Sequence, residues 1–131
     1  MVTMKRHIEA GGAGTALLVE DQPQVRAVFA KWLADSGRSV FACRNFQEAR
    51  AFLASHTPDM LVTDIRLNDY NGLQLVLQLL EKQPDAVCVV ITGYDDTVLR
   101  REAEQMHATY LVKPVDRAHF LAALDGQSVS P

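Results

Sequence analysis

The feature that most constrains this chain is a short run, Met60-Leu61-Val62-Thr63, in which four residues suited to a buried strand lead straight into the carboxylate of Asp64. Pro58-Asp59 punctuates its front end, and Ile65 to Gly72 leaves it as a polar loop. An apolar run bounded in this way reads as a strand of a parallel sheet, covered on both faces. Ligands of such sheets bind in the crevice outside the carboxyl ends of the strands, so Asp64 stands where chemistry is usually done. Taken alone, Asp64 could equally cap the strand and bond loop amides. The rest of the chain separates the two readings.

Four further strand-like runs follow the same plan, and three of them also end in reactive side chains. Thr15 to Val19 ends in Glu20-Asp21, Ala86 to Ile91 in Thr92-Gly93, and Thr109 to Val112 in Lys113-Pro114, while Ser39 to Cys43 is a shorter second strand. Helical patterns lie between them. Pro23 suits a first helical turn, and Val25, Val28, Phe29, Trp32 and Leu33 form one apolar face before Gly37 ends the helix. Asn45 with Glu48 predicts a capping box for a helix to about His56, with Phe46, Ala49, Phe52 and Leu53 inward. A third helix runs from Gly72 to Gln83, buries Leu73, Val76, Leu79 and Leu80, and is stopped by Pro84. Asp95 or Asp96 caps a fourth, whose stripe of Leu99, Ala103 and Met106 is thin. Asp116 caps a last helix to about Leu124.

Five strands alternating with five helices, joined by right-handed crossovers, give an α/β fold: a doubly wound five-stranded parallel sheet with helices on both faces. At 131 residues the chain is one domain. Residues 1–14 are expected to be a flexible lead-in, 15–125 the domain and 126–131 a tail. Charged residues at 22% and a net charge of −3 give no reason to expect nucleic-acid binding. No apolar run is long enough to cross a bilayer, and the N-terminus has no signal-peptide core. Cys43 and Cys88 both fall in apolar segments, as buried free thiols of a reducing cytoplasm would. No cysteine and histidine spacing suggests zinc.

With strand order 2-1-3-4-5, the first and third strands meet at the switch point of the sheet. Glu20, Asp21 and Asp64 would then converge in one cleft, with Thr92 and Lys113 beside them. Two unit charges about 4 Å apart repel by roughly 4 kcal/mol at an effective dielectric near 20. Such a cluster takes up a proton, gains a cation or comes apart. Lys113 can neutralise one charge, and an all-oxygen site with surplus negative charge suits Mg²⁺. Each residue has a plainer reading: Asp21 as a helix cap, Thr92 as a β-former, Lys113 as a surface charge, Tyr110 as a half-buried aromatic. Jointly these require a coincidence at each of the four strand ends that carry a reactive side chain.

Glu20-Asp21, Asp64 with Gly72 eight residues on, Thr92-Gly93 and Tyr110-Leu111-Val112-Lys113-Pro114 resemble, in order and spacing, the CheY-like receiver domain of two-component response regulators. The likeness covers about Ala16 to Leu124 and implies a flavodoxin-like fold. It implies that Asp64 accepts a phosphoryl group from a sensor histidine kinase, a histidine phosphotransfer protein or a small donor such as acetyl phosphate. It further implies Mg²⁺ held by Asp21, Asp64 and the backbone carbonyl of Arg66, with Glu20 acting through a water. Lys113, joined to Pro114 by a cis bond, would pair with the phosphoryl oxygens. Thr92 would bond the phosphate, and Tyr110 would turn inward as Thr92 moves. A downstream protein would use the face of the fourth helix, fifth strand and fifth helix, including Arg100, Arg101, Tyr110 and His119. The chain would be a phosphoacceptor and not an enzyme with its own substrate, without direct contact to nucleic acid or membrane.

Two departures from the family pattern stand out. Asn68 replaces the proline common four residues after the acceptor, and Asn tolerates left-handed turn conformations. Arg66 and Tyr94, each two residues beyond Asp64 and Thr92, are expected to hinder an attacking water and lengthen the phosphorylated state. Other chemistries fit less well. The four histidines (His7, His56, His107, His119) lie away from the strand ends, so no triad base is available. A haloacid-dehalogenase-like phosphatase would want a second carboxylate where the chain has Arg66. An FMN electron carrier would want a phosphate loop where it has Glu20-Asp21-Gln22-Pro23. With no length for an output domain after Leu124, both a stand-alone regulator and a receiver cut from a longer regulator or hybrid kinase stay open.

Overall fold

The computed structural model describes the backbone of residues 6–8 and the whole of residues 14–125. Five parallel strands form in the expected order. They are β2 (Thr15–Val19), β3 (Ser39–Cys43), β4 (Met60–Asp64), β7 (Val87–Thr92) and β8 (Thr109–Val112). Their spatial order is β3-β2-β4-β7-β8, which is 2-1-3-4-5 counted along the chain, and β2 and β4 pair directly from Ala16↔Met60 to Val19↔Thr63. A sixth strand, β1 (Arg6–Ile8), runs antiparallel along the free edge of β3. It lies within the stretch expected to be a flexible lead-in. Three residues are too few for periodicity to declare a strand, and an unpaired sheet edge is what recruits one. The remainder of that lead-in up to residue 13, and the tail after residue 125, lie outside the described residues.

The connecting helices are α1 (Pro23–Asp35), α2 (Phe46–Ser55), α3 (Leu73–Lys82), α4 (Thr97–Gln105) and α5 (Arg117–Leu124). Their starts follow local chemistry. Pro23 opens α1. Asn45 Oδ1 accepts from the Glu48 amide at 2.8 Å, and Glu48 reaches back to the amide of Arg44 at 3.1 Å, one residue earlier than a regular capping box. Asp96, not Asp95, caps α4, and Asp116 caps α5. The start of α3 is held by Asn71, whose Oδ1 accepts from the Leu73 amide.

Successive strand residues face opposite layers, as a pleated strand requires. Leu17, Val19, Leu61 and Val90 pack with α2, α3 and α4, whereas Ala16, Leu18, Val62, Val89 and Ile91 pack with α1 and α5. Burial on both faces is the condition under which a parallel sheet is stable, and every residue of β4 is buried. The expected α1 stripe is narrower than its spacing suggested: Phe29, Ala30 and Leu33 are buried, while Val28 is 43% exposed. On α4 only Ala103 is fully buried, with Leu99 and Met106 packed at the margin. Cys43 and Cys88 are buried thiols, each pushed up to about 12 by burial. Among the described residues no helix is long and apolar enough to cross a membrane.

Candidate functional site

All five strand-end residues singled out by the sequence meet at one end of the sheet. β2 and β4 are neighbours, so their terminal residues lie side by side: Glu20, Asp21 and Asp64 each offer a carboxylate oxygen within 4.8 Å of the others. Glu20 and Asp64 are buried and Asp21 is exposed. Lys113, arriving from the end of β8, bridges the two buried acids, with Nζ 2.8 Å from Glu20 Oε1 and 3.1 Å from Asp64 Oδ1. The Lys113–Pro114 bond is cis, as expected. A cleft of about 230 Å³ is lined by Asp21, Asp64, Arg66, Thr92, Gly93 and Lys113.

The electrostatics of this pocket are those of charge crowding. Burial, then the adjacent Glu20 carboxylate, push the Asp64 carboxyl up to about 8, with Lys113 pulling the other way. Burial alone would make Lys113 less basic, but its contacts with Glu20 and Asp64 outweigh that and raise it. Glu20 Oε2 accepts from the Gln22 amide at 3.0 Å. Its Oε1 is wholly buried and, although close to Lys113, has no aligned hydrogen-bond donor. The one cation beside this oxygen is the Lys113 ammonium, which is shared with Asp64, so the buried carboxylates leave room for a further positive charge. The donor set is all oxygen and carries more negative charge than one ammonium offsets, so these residues fit a hard divalent cation.

The loop after Asp64 is more ordered than the sequence suggested. β5 (Arg66–Leu67) pairs antiparallel with β6 (Tyr70–Asn71) in a miniature hairpin. Asn68 sits in its turn at φ 58°, the left-handed conformation that Asn adopts at low cost. The loop then folds back until the Gly72 amide donates to the Ile65 carbonyl. A Cβ on Gly72 would drive into the carbonyl oxygen of Asp64. The glycine eight residues after Asp64 is therefore a requirement of close backbone approach.

The buried Thr92 hydroxyl is engaged locally, accepting from the Tyr94 amide at 3.2 Å and lying 3.1 Å from the Tyr94 carbonyl. Tyr110, expected to turn inward on switching, is already inside at 7% exposure. Its hydroxyl accepts from the Asp96 amide at 2.9 Å and donates to Asp95 Oδ1 at 3.2 Å, and Arg100 covers its ring at 4.5 Å. Burial is the main cause raising the Tyr110 phenol. Arg100 covers Tyr110 from the surface, and Arg101 and His119 are exposed. Arg66 lies 5.6 Å from the Tyr94 ring centroid and 3.7 Å from Asp96 Oδ2. The Arg66–Asp96 pair is not legible in the sequence, because no local pattern links positions thirty residues apart.

Residues 16–125 match the family description of the response regulator receiver domain. The chain is 34% identical over 126 residues to the photosynthetic apparatus regulatory protein RegA of Cereibacter sphaeroides, covering 94% of this chain and 68% of that protein. It is 35% identical over 113 residues to the DNA-binding transcriptional regulator NtrC of Salmonella typhimurium, covering 86% of this chain but 24% of that protein. A crystal structure of a response regulator from Burkholderia pseudomallei, solved with a phosphorylated aspartic acid, calcium ion and citrate, superposes with a TM-score of 0.75 at 30% identity, covering 84% of this chain and 65% of that one. A CheY-like receiver domain from Methanospirillum hungatei gives a TM-score of 0.77 at 20% identity over 87% of this chain and 92% of that one, a likeness of fold. The family match spans the whole doubly wound sheet, and the acidic cleft sits at its switch point. The chain accordingly belongs to the response regulator receiver domains of two-component signalling, phosphoacceptor modules and not turnover enzymes.

Proposed function

We propose that Asp64 is the phosphoacceptor, and that Mg²⁺ binding and partner contact are organised around it. The observation that carries this reading is the pocket in which Lys113 touches both Glu20 and Asp64 while Glu20 Oε1 stays without an aligned donor. Asp21, Asp64 and the Arg66 carbonyl would hold the ion, with Glu20 reaching it through a water. When bound, Mg²⁺ supplies charge neutralisation and orientation for the phosphoryl oxygens. An ionised Asp64 oxygen attacks phosphorus in line, and the new O–P bond forms as the P–N bond of a phosphohistidine breaks. The electron pair leaves on the imidazole nitrogen, which takes a proton; with acetyl phosphate a P–O bond breaks and acetate leaves. Lys113 compensates the transferred oxygens, and the Thr92 hydroxyl leaves the Tyr94 backbone to donate to one of them. Tyr110 reports that movement through its hydrogen bonds to Asp95 and Asp96.

The donor is a sensor histidine kinase or a histidine phosphotransfer protein, in the cytoplasm, where the buried thiols stay reduced. The α4–β8–α5 face, with Arg100, Arg101 and His119, receives a downstream protein. Arg66 and Tyr94 screen the cleft from water; replacing both by small residues speeds dephosphorylation, and an unchanged rate would dispose of the screen. The central test is incubation with acetyl phosphate and Mg²⁺ followed by intact mass. One phosphoryl addition is expected, lost with EDTA and in Asp64→Asn. Addition that persists in Asp64→Asn would refute the assignment.

A further inference from the structure

Two clefts flank the strand ends, and one side chain lines both. The first contains Asp21, Asp64, Thr92 and Lys113. The second, about 370 Å³, lies between the β5–β6 hairpin and α4 and is lined by residues including Asn68, Tyr70, Asp96, Val98 and Leu99. Arg66 belongs to each. On the α4 side its guanidinium pairs with Asp96 Oδ2 at 3.7 Å. Asp96 is the N-cap of α4, its other oxygen accepting from the amides of Val98 at 2.9 Å and Leu99 at 3.1 Å. The same residue's amide is the donor to Tyr110.

We infer that Arg66 is a movable charge that couples the phosphorylation state of Asp64 to the N-cap of α4. This rests on the reading of Asp64 as acceptor. The Arg66–Asp96 pair is long and largely exposed, so it is weak. A phosphoryl group brings nearly two negative charges and three acceptor oxygens into the neighbouring cleft, and its planar fork suits Arg to bind them bidentately. The guanidinium therefore moves from Asp96 to the phosphoryl group. Asp96 then loses the partner that fixes its Oδ2, the carboxylate gains rotational freedom, and the cap on Val98 and Leu99 loosens. This route starts from a side chain of the β4–α3 loop instead of from Thr92, and it meets the Tyr110 contacts at Asp96. It acts on the helix least anchored by burial, with Ala103 as its one fully buried residue.

The test is amide hydrogen exchange at Val98 and Leu99, resolved by NMR, with and without acetyl phosphate and Mg²⁺, with intact mass recording phosphoryl addition in each sample. In the parent chain, phosphorylation should speed exchange at these two amides about 2- to 5-fold, the size set by a weak exposed ion pair. The discriminating variant is Asp96→Asn, because Asn caps a helix as well as Asp does but carries no charge to hold Arg66. In Asp96→Asn the exchange should already be raised before phosphorylation, and phosphorylation should add little. Equal acceleration in parent and variant, or none in a phosphorylated parent, overturns the coupling and leaves the phosphoacceptor reading standing. Absence of any phosphoryl addition in the mass spectrum overturns that reading, and the coupling with it.

Discussion

Replacing Asp64 by Asn takes an ionisable group, charged in the cation-free protein only as pH reaches about 8, out of a pocket where three carboxylates and one ammonium meet. Its Glu20 neighbour lies within 4.8 Å, a repulsion of about 3.5 kcal/mol at an effective dielectric near 20. Asp21 is exposed and adds about 1 kcal/mol at a dielectric close to that of water. Against this, the contact with Lys113 at 3.1 Å is worth about 5 kcal/mol on the same scale. The charge terms nearly cancel, so the desolvation of a buried carboxylate, several kcal/mol, sets the sign. Asp64→Asn should therefore stabilise the cation-free protein by about 1–3 kcal/mol. That corresponds to a Tm higher by roughly 4–10 °C for a domain of this size. The pH dependence gives an independent check. Asp64 is raised from 3.8 to about 8, so the folded chain holds this proton more tightly than the unfolded one. Stability contributed by that proton is complete below the unfolded value and is lost as pH rises through the folded one. In EDTA and low salt the parent should weaken from about pH 4 to pH 8, and Asp64→Asn should lack most of that slope. Millimolar Mg²⁺ should then raise the parent by mass action and close the gap. A variant less stable than its parent in EDTA, or one with the same slope, would refute the crowded-pocket reasoning.

Gly72→Ala should lower the urea midpoint by the equivalent of about 2–3 kcal/mol and slow phosphorylation, because the new Cβ meets the Asp64 carbonyl; a parental midpoint would contradict the close approach. Tyr110→Phe strips the Asp96 amide of its acceptor and should cost about 1–2 kcal/mol in denaturant unfolding; no loss would show that water replaces the phenol. Cys43 and Cys88, raised to about 12, should react with a thiol reagent at pH 8 only as fast as the protein unfolds. Their stability contribution is held below pH 9 and should fall as pH climbs from 9.0 to about 12. Rapid labelling of both thiols in the native protein would count against their burial.

The parts of the molecule legible in its sequence share a physical reason. A strand buried on both faces needs a continuous apolar run, and five such runs are visible; a parallel sheet then delivers whatever follows each run to the same edge. Glu20, Asp21, Asp64, Thr92 and Lys113 were therefore readable as a set, although each alone was ambiguous. What stayed hidden depends on contacts that no local pattern encodes. β1 is three residues fixed by the edge of β3, and the β5–β6 ladder is two residues on each side, both shorter than any period can reveal. Val28 keeps the helical spacing of a core residue yet lies where α1 turns to solvent. The inward placement of Tyr110 depends on Asp95, Asp96 and Arg100 converging on it from another segment.

The same contrast explains where this domain can respond to a charge. Helix α3 buries Leu73, Leu75, Val76 and Leu79, and each such side chain contributes about 1.5–3 kcal/mol. No electrostatic change at the strand ends competes with that sum. Helix α4 buries only Ala103 fully. Its N-terminal end is held instead by polar contacts: the Asp96 cap, the Tyr110 hydroxyl, the Asp95–Arg100 pair and the Arg66–Asp96 pair. Such contacts are worth about 0.5–1.5 kcal/mol each, and they involve charges near enough to the cleft to be redirected. If Asp64 is the acceptor, as proposed, a dianion formed there would act on α4 before it could disturb the sheet or α3. The surface affected would be the one carrying Arg100 and Arg101. The core supplies a rigid frame, and the sparse burial of α4 leaves one element of that frame governed by electrostatics.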